Sequence, residues 1–266
     1  MKEFITRTLT AFILLPAVYA LIMLSPRWAF SAILYLVVSI AVHEFMDLCA
    51  PGIRSRWIIY LLGLTVAWSM TFAEPGWLET SFGLVFIMGL FFLFSVRNEA
   101  QLQTFVRDIG VHLMALFYVY FPLFFIFLLR EVSPHVLIFL ILVIIVGDSG
   151  AYFIGRWIGK HKIYPVASPK KSMEGVIAAV ITAGLAGWLA WAVLPIDADP
   201  RMAVPTAALM GWISQLSDPV ESLFKRAAGR KDSGSLLPGH GGVLDRLDSY
   251  IYCAPLFYLI VRFVWA

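Results

Sequence analysis

The chain has 266 residues, 61% of them hydrophobic and 14% charged, with a formal net charge of +3. Soluble globular domains carry charge on about a quarter of their residues, so an ordinary soluble fold is excluded. Apolar runs of bilayer-crossing length, roughly 17–25 residues, recur throughout, and only a helix satisfies its own backbone hydrogen bonds in such a run.

Nine spans are predicted: Thr8–Leu24, Trp28–Leu48, Trp57–Phe72, Leu78–Val96, Ile109–Leu129, His135–Ile154, Ser172–Leu194, Met202–Phe224 and Ser249–Val264. The third is short, and the fifth is broken by Pro122. Lys2 and Arg7 precede the first span, which reads as retained and not as a cleaved signal peptide. With nine spans, every basic residue except Arg27, Arg130, Arg201 and Arg262 falls on the N-terminal side of the membrane. Positive charge marks that side as cytoplasmic and puts the C-terminus outside. The expected architecture is an all-α polytopic membrane protein, one domain over 1–266. Its N-terminal helices (1–134) are chemically bland, and its C-terminal helices and cytoplasmic loops (135–266) carry the chemistry.

Cys49 and Cys253 are two lone membrane cysteines and read as packing residues. Trp28, Trp57, Trp77, Trp157 and Trp265 fall near span ends and read as interfacial anchors. His43-Glu44-Phe45 with Asp47 is the one ionisable group of note in the first half. Pro51-Gly52 follows closely, so a helix end at headgroup level is the preferred reading of these residues.

Three polar segments interrupt the second half. Asp148 stands about two turns inside span six between small residues, Gly147, Ser149 and Gly150, which permit close helix approach. A carboxylate at that depth needs a cation, a metal or a proton. The nearby glycines do not form a phosphate-binding P-loop: the spacing before Lys160 is one residue short, and no Ser or Thr follows. The second segment, Tyr164 to Gly175, holds Ser168, Lys170 and Lys171, and Ser172 is placed to cap span seven. It reads either as a phosphate site at a helix N-terminus or as lysines attracted to anionic lipid.

In the third segment Asp218 and Glu221 lie three residues apart, on one helical face. Ser217-Asp218-Pro219 resembles a helix start. Yet it interrupts an apolar run whose water boundary is marked by Lys225 and Arg226. Pro219 has no amide proton, so the Gln215 carbonyl keeps a free acceptor. Asp245 and Asp248 repeat the spacing just before span nine. Two such pairs at one bundle mouth suit an oxygen-ligated ion such as Mg²⁺, with room for a second. Between the pairs, Gly239-His240-Gly241-Gly242 leaves backbone amides accessible, as a phosphate cradle requires. A flexible turn would use glycine as well.

The run Ser222, Lys225-Arg226, Lys231-Asp232, His240-Gly241-Gly242, Asp245-Arg246-Leu247-Asp248 resembles, without a gap, the signature of the phosphatidate cytidylyltransferases. Ser168-Pro169-Lys170-Lys171-Ser172, Glu174-Gly175, Asp148 with Ala151-Tyr152, and Arg7 to Ala11 also look like family segments. Ser217 and Pro219 depart from the family's usual Gly and aliphatic residue around Asp218. The resemblance implies transfer of the cytidylyl group of CTP to phosphatidate, giving CDP-diacylglycerol and pyrophosphate. It implies Mg²⁺ on Asp218, Asp245 and Asp248, with Glu221 as ligand or support and Asp148 as a further candidate. Lys225, Arg226, Arg246 and His240-Gly241-Gly242 would meet nucleotide phosphates. Lys170 and Lys171 would meet the lipid headgroup or pyrophosphate, and Ser168, Lys231 and Asp232 join the substrate-binding set. The implied setting is a bacterial inner membrane with its lipids, a homodimer, and no nucleic-acid partner. Two alternatives are weighed: a CTP-dependent polyprenol or phytol kinase, which would release CDP, and an ion-coupled transporter. The crowding of polar sites into the C-terminal half disfavours the transporter.

Overall fold

The computed structural model describes residues 15–53, 55–72, 76, 79–81, 83, 86, 90, 96–236 and 241–265. Most of the predicted span Leu78–Val96 lies outside them, as do Trp77 and the first residues of span one. The described chain is mostly helical, and it divides into two compact units. One comprises Met1–Phe127 with Asp232–Arg246; the other comprises Leu128–Lys231 with Leu247–Ala266.

The first unit contains α1 (Leu15–Leu24), α2 (Arg27–Cys49), α3 (Arg56–Phe72) and α4 (Glu99–Met114). A π-helical segment, Ala115–Tyr120, leads on into α5 (Phe121–Val132), whose first residues belong to this unit. α2 buries Val38, Ala41, Val42, Phe45 and Met46 completely. Paired hydroxyls tie it to its neighbours: Ser31 to Thr71 at 2.6 Å and Ser39 to Tyr120 at 2.7 Å. Such bonds spare buried hydroxyls an unsatisfied state in an apolar interior. The buried His112 ring lies between two backbone carbonyls, Nδ1 at 2.6 Å from Asp108 O and Nε2 at 3.0 Å from Ser55 O, and a neutral imidazole, with one N–H, donates to one of them.

Two predicted features of span five change. The helix begins at Glu99, ten residues before Ile109, because Asn98 caps it by accepting from the Gln101 amide at 2.9 Å. Pro122 does not break it. In the π-helical turn just before it, the Phe121 amide donates to Leu116 O. That wider turn accommodates a ring with no amide proton, so Glu99–Val132 continues as one apolar rod.

The second unit contains α6 (Pro134–Ile158), a hairpin of β1 (Lys162–Tyr164) and β2 (Ser168–Ser172), α7 (Met173–Val193), α8 (Pro200–Ala227) and most of α9 (Leu244–Phe263). The hairpin departs from the all-α expectation. Its strands pair antiparallel, with Lys162 opposite Ser172 and Tyr164 opposite Ser168. Pro165 opens the turn between them, and segments this short carry no usable periodicity. As predicted, Ser172 caps α7, accepting from the Gly175 amide at 3.3 Å. The small residues around Asp148 also act as expected. A β-carbon at Gly150 would overlap the Thr182 side chain, and one at Gly211 would come within 2.8 Å of Ala179 O. These glycines let α6, α7 and α8 approach closely.

Ile177, Ile181, Leu185, Trp188 and Leu189 of α7 are exposed at helical spacing. An apolar stripe facing outward is stable against lipid and not against water. Among the described residues, four helices are long and apolar enough to cross a membrane: Arg27–Cys49, Glu99–Val132, Pro134–Ile158 and Met173–Val193. Trp28 and Trp157 are exposed, as anchors should be. Trp265 instead packs edge-on against Phe139 and Phe257, at 5.4 and 5.2 Å between centroids, and donates to the Thr206 hydroxyl.

Candidate active site

In the second unit, four elements contribute to one polar knot. Asp148 (α6) is half-buried, and its Oδ1 accepts from Gln215 Nε2 at 2.7 Å and Ser214 Oγ at 3.2 Å. Asp218 (α8) receives Lys171 Nζ (β2) on Oδ2 at 2.8 Å and Ser249 Oγ (α9) on Oδ1 at 2.8 Å. Ser249 Oγ also lies 3.4 Å from Asp148 Oδ2. A hydroxyl has one proton and cannot satisfy both carboxylates at once.

α8 continues through Pro205 and Pro219. The acceptor that Pro219 leaves open is used: Lys171 Nζ donates to Gln215 O at 3.0 Å. One ammonium thus bridges the Asp218 carboxylate and the backbone carbonyl released by the neighbouring proline. Ser217, the other departure around Asp218, donates its hydroxyl to the Asp248 carbonyl. Asp248 Oδ1 accepts from the Ser249 amide at 2.8 Å. Glu221 is fully buried and paired with Lys225, one helical turn on.

The remaining candidates of this unit stand at the surface or close to it. Lys170, Arg226 and Lys231 are exposed and Ser168 is half-buried. Arg226 donates to Arg230 O at 3.2 Å.

The first unit holds the other part of the signature. Asp245 Oδ2 accepts from the Gly242 amide at 2.8 Å and from the Ser233 amide and hydroxyl, each at 3.0 Å. Gly241 has φ +80°, a left-handed conformation that glycine adopts without strain. Asp232 and Arg246 are exposed, and His240 lies outside the described residues.

Glu44 requires a correction. It stands near the end of α2 but does not surface there: it is 7% exposed, and its carboxylate accepts from Ser233 Oγ, the Val243 amide and the Leu244 amide. Ser214, Ser233 and Ser249 were not singled out from the sequence, and Glu44 was read only as a helix end. Glu44 alone left a signal, as a carboxylate inside an apolar run.

Among the described residues, no group of three or more His, Cys, Asp or Glu side chains stands close enough to hold a metal ion unaided. The donor chemistry nevertheless suits a hard divalent cation. All the donors are carboxylate or hydroxyl oxygens, and Asp148 and Asp218 share a hydroxyl that can neutralise neither.

Comparison with known proteins shows the family. The profile of the cytidylyltransferase family matches residues 5–264. The chain belongs to this family. A phosphatidate cytidylyltransferase of Staphylococcus saprophyticus is 31% identical over 262 residues, covering 96% of this chain and 98% of its own. Proteins of the same name from Staphylococcus haemolyticus and Staphylococcus epidermidis are 30% and 29% identical over the same shares. As a cytidylyltransferase the protein is an enzyme, a nucleotidyltransferase.

Proposed function

We propose that this cytidylyltransferase joins CTP and phosphatidate into CDP-diacylglycerol, releasing pyrophosphate at the cytoplasmic face of a bacterial inner membrane. The substrates follow the names of relatives that span nearly the whole chain. The observation that carries the reading is the bridged ammonium of Lys171, seated on Asp218 beside Asp148 and Ser249. A knot of acids with an adjoining fixed cation is what two polyanionic substrates require. The topology that goes with this reading has nine spans and an N-terminus inside, and the protein acts as a homodimer.

A phosphate monoester has its second ionisation near pH about 6, so the phosphatidate oxygen needs no strong base. It attacks the α-phosphorus of CTP. A new P–O bond forms, the bond between the α-phosphorus and the bridging oxygen breaks, and its electron pair leaves with pyrophosphate. Asp148, Asp218 and Asp248 would hold Mg²⁺, with Glu221 in support, and Asp245 is assigned to the ion by its place in the signature alone. Bound there, the ion would neutralise charge on the transferring phosphates. Lys171, fixed at two points, presents its charge without first being ordered, and Lys170 adds an exposed cation for the headgroup or pyrophosphate. Lys225, Arg226, Arg246 and His240-Gly241-Gly242 meet the nucleotide, with Ser168, Lys231 and Asp232 alongside.

The test is turnover by the purified protein in detergent with CTP, phosphatidate and Mg²⁺, each omitted in turn. Formation of CDP-diacylglycerol and pyrophosphate that requires all three is expected. Turnover indifferent to phosphatidate would overturn the assignment.

A further inference from the structure

The first turn of α9 has a capping problem that its own sequence does not solve. The opening amides of a helix lack intrahelical acceptors, and a side-chain oxygen just before the helix normally meets them. Here that position is Val243, which has none. Glu44, about 200 residues earlier on α2, fills the gap. Its Oε1 accepts from the Val243 amide at 3.1 Å and its Oε2 from the Leu244 amide at 2.9 Å. A carboxylate also complements the positive end of the helix dipole.

Glu44 does more than close the helix. Its Oε2 is 3.0 Å from Ser233 Oγ, and that hydroxyl is also 3.0 Å from Asp245 Oδ2; with one proton it bonds one carboxylate at a time, and while it bonds Glu44 the Ser233 amide keeps Asp245. Ser233 is 3% exposed and holds the same Asp245 oxygen with its amide. Two glycines make room for the buried carboxylate. A β-carbon at Gly234 would overlap Glu44 Oε1, and one at Gly242 would overlap Glu44 Oε2 and Ser233 Oγ. Glycine at 242 in turn leaves its amide free to reach Asp245 Oδ2 at 2.8 Å. Among the described residues no cation pairs with Glu44, so its charge is compensated by these donors.

We propose that Glu44 is a positioning residue of the transfer reaction: it fixes the first turn of α9 and, through Ser233, the carboxylate of Asp245. This rests on the assignment of Asp245 to the Mg²⁺ site. Glu44 itself touches no substrate. Its removal therefore weakens the site's hold on the ion and leaves the chemistry of the loaded enzyme largely intact.

The experiment compares wild type, Glu44→Gln and Ser233→Ala. Glutamine keeps the shape but turns an N–H₂ toward donors that need an acceptor. Ser233→Ala cuts the relay without touching α2. Two quantities are read: amide exchange of peptides covering 241–247 without substrates, and the Mg²⁺ dependence of turnover. In Glu44→Gln, exchange at Val243 and Leu244 should quicken by about tenfold, while amides in the middle of α2 stay as in wild type. Supporting groups behind metal ligands typically change metal affinity by about 10–100-fold. Both variants should therefore need more Mg²⁺ by that order and regain near-wild-type kcat at high Mg²⁺. Unchanged exchange with an unchanged Mg²⁺ requirement would overturn the proposal. So would loss of kcat that added Mg²⁺ does not restore. If Glu44→Gln does not fold, Ser233→Ala decides by the same Mg²⁺ criterion. If wild type shows no Mg²⁺-dependent transfer, the functional assignment and the Asp245 role fail together, and exchange at Val243 and Leu244 still decides whether Glu44 fixes α9.

Discussion

Lys171→Met removes the ammonium that joins β2 to α8 and keeps most of the side-chain bulk. Two interactions are lost, the ion pair with Asp218 at 2.8 Å and the bond to Gln215 O at 3.0 Å. Breaking a fully buried pair by deleting one partner costs about 3–5 kcal/mol. The side chains here are 17% and 27% exposed, and solvent screening brings that term to about 2 kcal/mol. The Gln215 carbonyl has no replacement donor, because residue 219 is proline, and its loss adds about 1 kcal/mol. The expected destabilisation is therefore about 3 kcal/mol. A double-mutant cycle with Asp218→Asn, measured by denaturant titration in mixed micelles, isolates the pair. A coupling of about 2 kcal/mol is expected for groups in direct contact. Additivity to within about 0.5 kcal/mol would refute the reasoning. In that case Lys171 would not be held by Asp218, and any loss of turnover would reflect substrate contact alone.

Other outcomes follow from the same structure. Gly211→Val drives a side chain into Ala183 and the Ala179 carbonyl; overpacking of this kind costs about 1–3 kcal/mol, read as a lower unfolding midpoint in detergent. A midpoint equal to wild type would mean that α7 and α8 are not in close contact. His112→Phe removes the ring nitrogens that face the Asp108 and Ser55 carbonyls; with one N–H on a neutral imidazole this should destabilise by about 1 kcal/mol, with faster exchange around Ser55. Chelation of divalent cations should abolish cytidylyl transfer, and Mg²⁺ should restore it. In Asp218→Asn the Mg²⁺ requirement should rise, and a titration curve identical to wild type would remove Asp218 from the ion site.

Features governed by local chemistry were legible in the sequence. Apolar runs located α2, α3, α6 and α7 to within a few residues. The Ser172 cap and the acceptor left by Pro219 follow from what a hydroxyl supplies and what a proline lacks. The rest depends on contacts that no local pattern encodes. The polar first turns of α4 carry no apolar run, so the helix starting at Glu99 was missed. The hairpin at 162–172 is too short for a period of two to register. Glu44 resembled a surfacing helix end because its partners, Ser233, Val243 and Leu244, are about 200 residues away and two of them act through backbone amides. It also lies in the half of the chain read as bland.

The most direct test of the account follows the phosphorus atoms of CTP. Purified protein is given phosphatidate, Mg²⁺ and CTP labelled either at the α- or at the γ-phosphorus, and the lipid and aqueous products are separated. The account predicts α-label in the lipid product and γ-label in pyrophosphate. Label from the γ-position in the lipid, with CDP in the aqueous phase, would make the protein a CTP-dependent kinase and contradict it.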